Sequence, residues 1–388
     1  MLCVQREWLD LSQELRVLRS GVTTYEDLSI VCHQIMDATA SLLLFTAAAV
    51  LDREETRARA ASTSRAELDR LSVEELKAQS DFTSFFRLTR NEFDAIFHAL
   101  QLNDPIVSAR RDSERAEVAL LLVCAYLGGA RLATIRRVFR RSESSASGII
   151  KTKIAAIHTK WGHLLAFNGA EESMLAPDRL KWYATRLAEK GCPLNGAWGF
   201  VDGTLFPVAR PSRNQRAFYT GWKRLHALKF QALCAPDGMI WFHGPCSGRR
   251  NDNFILRDSQ LIPWLREHSF GPVRGDNTRP SLYVYGDKAY FSHGHLIGAH
   301  KGLFLTPRQR HFNRRMASLR IAAEWSIGGI KTLFPRLEIK RSQRTLLADV
   351  ETEMRVCTLL RNAVSCVSGN ENSMYFRCET PVLSDYFS

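Results

Sequence analysis

The sequence contains no Cys-x-x-Cys pair; its nine cysteines are scattered, at positions 3, 32, 124, 192, 234, 246, 357, 366 and 378. An odd count at wide spacing argues against a disulfide scaffold or a structural zinc site, and fits reduced thiols in the nucleus or cytosol. Long apolar runs are missing too. The longest, Ser41–Leu51, is too short to span a bilayer and starts too far along the chain for a secretory signal, so it reads as a buried helix. With no lipidation signal and no strongly basic amphipathic anchor, no membrane partner is expected. Nothing resembles a dedicated reader of ribose 2′-hydroxyls, which disfavours RNA as the substrate.

What is present is a globular composition, 45% hydrophobic and 24% charged, in 388 residues, enough for two domains. The formal charge of +13 is unevenly placed. Residues 1–100 hold 11 basic and 16 acidic side chains, the remainder 42 and 24. That excess of positive charge after residue 100 points to a polyanionic partner handled there.

Residues 1–80 read as a helical N-terminal extension, with helical spacing over Arg6–Arg19, Ile35–Leu51 and Asp52–Lys77. A helical region containing a helix-turn-helix-like unit follows at 81–165. Thr89 and Glu92 form a capping box for a helix carrying Phe93, Ile96, Phe97 and Leu100. Ser113 is placed to cap a helix broken at Gly128-Gly129, a short helix spans Leu132–Phe139, and Ser142 starts a third. The latter two carry Arg136, Arg137, Arg140, Arg141, Lys151 and Lys153, which either contact DNA or belong to a bundle bracing the next domain. Residues 166–195 are a link, helical from Pro177 to Lys190.

A strand-rich domain is expected over 196–345. Its strands are Ala197–Gly203, a hairpin of His226–Gly238 with Met239–Cys246, Ser281–Asp287 and Gly302–Pro307. Helices are expected at Asp252–Leu265, His293–His300 and Phe312–Phe334. Residues 346–388 supply a last helix, Leu346–Cys366, and a tail that is loose up to Val382. A three-strand meander followed by strand–helix alternation describes an α/β fold, a ribonuclease-H-like mixed sheet flanked by helices.

The chain is organised around Trp198–Thr204, where an apolar run ends in Asp202 and Gly203. It reads as a buried strand delivering an acid to its end, where the glycine allows a tight turn or close approach of a ligand. The design recurs in Leu282–Gly286, followed by Asp287 and Lys288. A third acid, Glu324, shares a helix face with Arg320 and Lys331. It is either a metal ligand or half of an ordinary helix salt bridge with Arg320. Two strand-end acids and a helical one can hold two Mg2+ ions roughly 3.5–4 Å apart, with Mn2+ as substitute, for phosphodiester chemistry. Asp202 and Asp287 would share one ion, Asp202 and Glu324 the other. Asp252 either joins the metal site or caps its own helix. Gly328-Gly329 inside a helix costs about 2 kcal/mol against two alanines, so close approach of the sheet or of DNA is expected there. Phosphate contacts are assigned to Arg213, Arg216 and Lys223, in a loop interleaved with Phe218, Tyr219 and Trp222. Arg249, Arg250 and Lys288, and then Arg314, Arg315, Arg320 and Lys331, complete a set that predicts salt-sensitive DNA binding.

Taken in order, VDGT (201–204), GPCSGRRND (244–252), YGDKAY (285–290), RIAAEWSIGGIKTLFPRL (320–337) and RNAV (361–364) resemble the motifs of a known group. It is the PIF/Harbinger superfamily of DDE transposases, with their host-domesticated relatives, and the resemblance covers about residues 85–366. The three acids lie 85 and 37 residues apart, spacings that suit the group. The resemblance implies a catalytic triad of Asp202, Asp287 and Glu324. It also implies metal-dependent cleavage of double-stranded DNA at terminal inverted repeats and joining of the 3′ ends to target DNA. A nuclear location and a Myb-like DNA-binding accessory protein go with it, and bringing two ends together calls for a homodimer or higher oligomer. The rivals are a domesticated, catalytically silent chromatin or protein-interaction factor, and a nuclease that cuts without joining.

Overall fold

Side-chain caps set several of the helix starts among the described residues. Ser72 with Glu75 opens α1 (Val73–Ala78) and, after the short α2 (Phe82–Phe86), Thr89 with Glu92 opens α3 (Arg90–Leu100), both as reciprocal capping boxes. These elements belong to a computed structural model that describes residues 71–167, 174–339 and 349–388. The helices expected over Arg6–Arg19 and Ile35–Leu51, most of the one over Asp52–Lys77, and the start of the one from Leu346 lie outside the described residues. Leu71–Ser388 form one compact unit.

Ser113 does not cap a helix. It sits in a two-stranded ribbon, β1 (Ile106–Val107) with β2 (Ser113–Glu114), and the first amide of α4 (Ala116–Leu127) instead donates to Asp104 Oδ1 at 2.7 Å. The other two helices of the unit, α5 (Leu132–Phe139) and α6 (Glu143–Trp161), match the reading of the sequence, and the Ser142 hydroxyl accepts from the Ser145 amide. Nearly every residue of α4 is buried, so it forms the axis on which the neighbouring helices pack.

Two of the cations assigned to DNA are enclosed by this packing. Arg141 is buried and pairs with Glu114, and its Nη2 donates to the Ser113 carbonyl at 2.9 Å. Lys153 is fully buried on the inner face of α6, 6.0 Å above the Phe97 ring, with no hydrogen-bond partner among the described residues. The helical period turns positions 146, 149, 150, 153 and 154 inward together, and Lys153 goes with them. Neither can meet a phosphate.

Burial lowers the Lys153 pKa from 10.5 to about 8, Asp104 opposing the shift. Its charge therefore opposes folding at neutral pH, and stability rises with pH from about 8 towards the unfolded value. Lys153→Met, similar in volume, is expected to stabilise the protein at pH 7 by about 2 kcal/mol. Urea titrations at pH 7 and 10 check this: the gain shrinks at the higher pH.

After α7 (Pro177–Glu189) comes the sheet. It is built from β3 (Ala197–Pro207), the short α8 (Gln215–Phe218) and β4 (Tyr219–Thr220), then β5 (Leu225–Cys234) and β6 (Ile240–Ser247). Next are α9 (Asp252–Asp258), α10 (Leu261–His268), β7 (Tyr283–Gly286) and β8 (Leu296–Gly298). Strand order is β6-β5-β3-β7-β8, antiparallel through β6, β5 and β3 and parallel through β3, β7 and β8. With helices α7 and α11 (Pro307–Leu333) packed on β3, this is a ribonuclease-H-like α/β fold.

Several boundaries differ from the sequence reading. The expected helix at 293–300 is strand β8, because Leu296 and Ile297 pair with Val284 and Tyr285 of β7. The expected strand at 302–307 is a loop exposing Leu303 and Phe304. Thr306 is the N-cap of α11, so the helix takes over from Pro307. The helix expected over Asp252–Leu265 breaks in two at Gln260, whose φ is +56°. The tail is ordered: α13 (Glu371–Phe376) and α14 (Leu383–Tyr386) follow α12 (Val350–Ser368), and Phe376, Tyr386 and Phe387 are buried.

Helix α12 joins the two halves of the unit. It packs on α3 and α6 on one side and on β6 and α11 on the other. The Tyr126 hydroxyl of α4 donates to Glu353 at 3.0 Å, and Arg336 lies over the Tyr126 ring and pairs with Glu353. Asn362, from the RNAV segment, satisfies both backbone groups of Ile240: its Oδ1 accepts the amide at 3.2 Å and its Nδ2 donates to the carbonyl at 2.9 Å. That side chain closes the hydrogen bonding at the start of an edge strand.

Candidate active site

Parallel register sets the centre of the site. Val201 of β3 lies opposite Gly286 of β7, so Asp202 and Asp287 follow side by side on strands about 4.8 Å apart. Asp202 is not at a strand end, as the sequence suggests. β3 continues to Pro207 on its antiparallel partner β5, and it is β7 that stops, opening the sheet beside Asp202.

Gly203 makes no turn. A Cβ there would lie 2.0 Å from Asp252 Oδ1, so the glycine admits the Asp252 carboxylate against the strand. Asn251, whose side chain accepts from the Phe254 amide, is the cap of α9, and Asp252 is left to pair with Lys229 Nζ at 2.9 Å. Of its two sequence readings, the capping role is therefore excluded. Asn253 clamps the turn after Asp287, donating to the Ala289 carbonyl at 2.5 Å and accepting the Phe291 amide at 3.1 Å.

From α11, Arg320 reaches between two acids. Its Nη1 donates to Asp202 Oδ2 at 3.0 Å and its Nη2 to Glu324 Oε1 at 3.1 Å. The helix thus links Glu324 to Asp202 through a guanidinium, which stands where the sequence reading put a shared metal. Glu324 itself is largely exposed, at 60%. It borders a cleft with Arg87, Trp325, Gly328 and Arg361. The two helical glycines serve that cleft rather than the sheet: Gly328 faces open space, and a Cβ on Gly329 would meet the Arg361 guanidinium of α12 at 2.7 Å.

The electrostatics are those of crowded carboxylates. Burial pushes the Asp202 pKa up to about 6, Asp287 and Asp252 push the same way, and Arg320 opposes them. Tyr290 folds back under Gly286, and its hydroxyl is buried without a partner among the described residues. Its pKa stands well above the usual value, through burial and then the nearby Asp252, Asp202 and Asp287. Hard oxygen donors that repel one another, beside an unsatisfied buried hydroxyl, are a donor set that fits a divalent cation such as Mg2+.

The remaining cations sort by surroundings. Arg136, Arg137, Arg140 and Lys151 on the helical unit are exposed, as are Arg213, Arg216, Lys223, Arg249, Arg250, Lys288 and Arg314 around the sheet. Trp222 is 82% exposed beside Lys223. Arg315 donates to the carbonyls of Lys190 and Gly191, and Lys331 pairs with Glu338 over the Phe206 ring, so the fold turns both away from a phosphate role. Lys229, Asn253 and Tyr290 escaped the sequence reading. A lysine between Leu228 and Phe230 in an apolar strand was the available signal for the first.

Among the described residues, the group of His, Cys, Asp or Glu ligand atoms that all lie within 4.8 Å of one another is a different one: His243, Cys246 and Asp258. These residue types can hold a divalent metal.

No curated protein and no solved structure matches the chain. The segment holding Asp202, Asp252, Asp287 and Glu324 does match a family: residues 201–362 carry a DDE superfamily endonuclease domain.

Proposed function

We propose that this chain is a DNA transposase of the PIF/Harbinger type, which cuts duplex DNA at terminal inverted repeats and joins the 3′ ends to target DNA. The observation that carries the reading is the convergence of Asp202 and Asp287, on adjacent parallel strands, with Arg320 and Glu324 of α11. In this reading Asp202, Asp287 and Glu324 hold Mg2+, with Mn2+ as substitute and Asp252 at the rim. Bound there, the ions would polarise the phosphodiester, lower the pKa of the attacking water or 3′ hydroxyl and neutralise the leaving oxygen.

The chain's own groups do the rest. Lys229 pairs with Asp252 and holds it beside Gly203, Asn253 holds the Asp287 turn, and Arg320 tethers Glu324 near Asp202. Exposed cations at Arg213, Arg216, Lys223, Arg249, Arg250, Lys288 and Arg314 would bind backbone phosphates, with Arg136, Arg137, Arg140 and Lys151 adding contacts from the helical unit. A nuclear location, a homodimer or higher oligomer and a Myb-like accessory protein belong to the same proposal.

Arg320 also favours a second reading, a domesticated factor that binds DNA or chromatin without cutting, because a guanidinium between Asp202 and Glu324 neutralises them without metal. Incubating the protein with a labelled duplex carrying the element's terminal repeat, in Mg2+ or Mn2+, with and without the accessory protein, separates the two. Cuts at the repeat end support the transposase. Binding with no cleavage under any of these conditions supports the silent factor.

Binding itself makes a prediction. Replacing Arg213, Arg216 and Lys223 together by Ala is expected to reduce the slope of log K against log salt by about 2–3 and to weaken all DNA sequences alike. Fluorescence anisotropy across a salt series measures this. An unchanged slope would remove the loop from the DNA path.

A further inference from the structure

The sheet edge carries a second constellation, away from the carboxylates. His243 and Cys246 lie on β6, the outer strand, three positions apart, and simple alternation would turn them to opposite faces. A bulge changes that. Gln231 faces His243 and Lys229 faces Cys246, so three steps on β6 are matched by two on β5. The extra residue returns both side chains to one side. Gly244 makes the bulge possible: its φ is +125°, and a Cβ there would meet the Phe230 ring at 2.8 Å and the Lys229 carbonyl at 3.0 Å.

Over this bulge lies Asp258, the last residue of α9. A carboxylate at a helix C-terminus faces the negative end of the helix dipole, the wrong end for its charge. Here its Oδ2 is 3.0 Å from His243 Nε2 and 3.5 Å from Cys246 Sγ. Bonds of about 2.0–2.3 Å from a tetrahedral ion to imidazole nitrogen, carboxylate oxygen and thiolate sulfur give ligand-to-ligand edges of about 3.3–3.7 Å. These two spacings lie close to those edges, and all three ligand atoms lie within 4.8 Å of one another.

We propose that His243, Cys246 and Asp258 bind one Zn2+ ion, which clasps the edge strand β6 to helix α9. Nitrogen, thiolate and one carboxylate suit a borderline ion, whereas Mg2+ avoids sulfur; the fourth position is left for water. The clasp is separate from the Asp202 site. β6 and β3 flank β5 on opposite sides, about 10 Å apart, and Asp258 ends the helix that Asp252 begins, about 9 Å away. It goes beyond the transposase proposal and does not depend on it, because fixing α9 also fixes Asp252 and Asn253 whatever the site does.

The test uses the full chain freed of metal and titrated with Co2+, then Zn2+. One equivalent of Co2+ is expected to give tetrahedral d–d bands with a thiolate charge-transfer band, and Zn2+ to displace it while excess Mg2+ does not. Cys246→Ser is expected to abolish the charge-transfer band, His243→Ala to weaken binding at least about 100-fold, and Asp202→Asn to change neither. A second readout needs no variant: Zn2+ should protect Cys246 from alkylation, as mapped by peptide mass spectrometry. No thiolate band in the unmodified protein, the same band in Cys246→Ser, displacement by Mg2+, or unprotected Cys246 each overturns the proposal.

Discussion

Asp202→Asn and Asp287→Asn are each expected to lower metal-dependent DNA cleavage by about 10³-fold or more while DNA affinity stays within a few-fold. In the proposed reading several kcal/mol of charge stabilisation would rest on these oxygens, and every 1.36 kcal/mol is a factor of ten in rate. Asn keeps the volume and removes the charge that would bind the ion. Glu324→Gln should cost less, because Glu324 is 60% exposed and already shares Arg320 with Asp202. Initial rates on a labelled duplex, beside anisotropy for binding, give the two quantities separately. A rate within tenfold of the unmodified protein for Asp202→Asn would sink the carboxylate-site proposal.

The second large effect is on stability and has the opposite sign. With metal removed, Asp202→Asn is expected to be more stable than the unmodified protein at pH 8, by about 2–3 kcal/mol. The folded-state pKa of Asp202 is raised from 3.8 to about 6, mainly by burial, with Asp287 and Asp252 adding to it. Folding therefore favours the protonated acid. The stability this contributes is complete below pH about 4 and is lost as pH rises through about 6. The variant carries no such loss, so its advantage should fade on going down to pH 4. Mg2+ should stabilise the unmodified protein at pH 8 and leave Asp202→Asn almost unmoved. Urea titrations at pH 4 and 8, with EDTA and with Mg2+, decide it, and equal stabilities at pH 8 in EDTA would contradict the crowded-carboxylate picture.

The strands that carry Asp202 and lead to Asp287 were legible because burial is local in sequence. An apolar run interrupted by one carboxylate, as at Phe200–Asp202 and Val284–Asp287, exposes the cost of placing charge there. The capping boxes at Thr89 and the cap at Ser142 were legible for the same reason, since both partners lie within one helical turn. What failed depended on register or on distant partners. That β3 runs past Asp202 is decided by its pairing with β5, and the Arg320 that pairs with Asp202 lies 118 residues further along the chain. Gly203 looked like a turn because nothing local announces Asp252 beside it. Lys153 looked like a phosphate contact because composition reports charge and not direction, whereas the packing of α6 assigns direction. The grouping of His243 with Cys246 was hidden behind one extra residue in a strand.

Helix α12 has a consequence for synthesis. Tyr126 and Glu353 meet across 227 residues, and Asn362 reaches back 122 residues to Ile240. As the chain leaves the ribosome, edge strand β6 and the inner faces of α3 and α6 are all made before the helix that covers them. Until residue 368 has emerged, the nascent protein carries an unguarded strand edge and two apolar helix faces, the surfaces on which incomplete chains aggregate or recruit chaperones. Covering of β6 and of the α3 and α6 faces is consequently tied to translation of α12 and not to completion of the sheet that bears the acids.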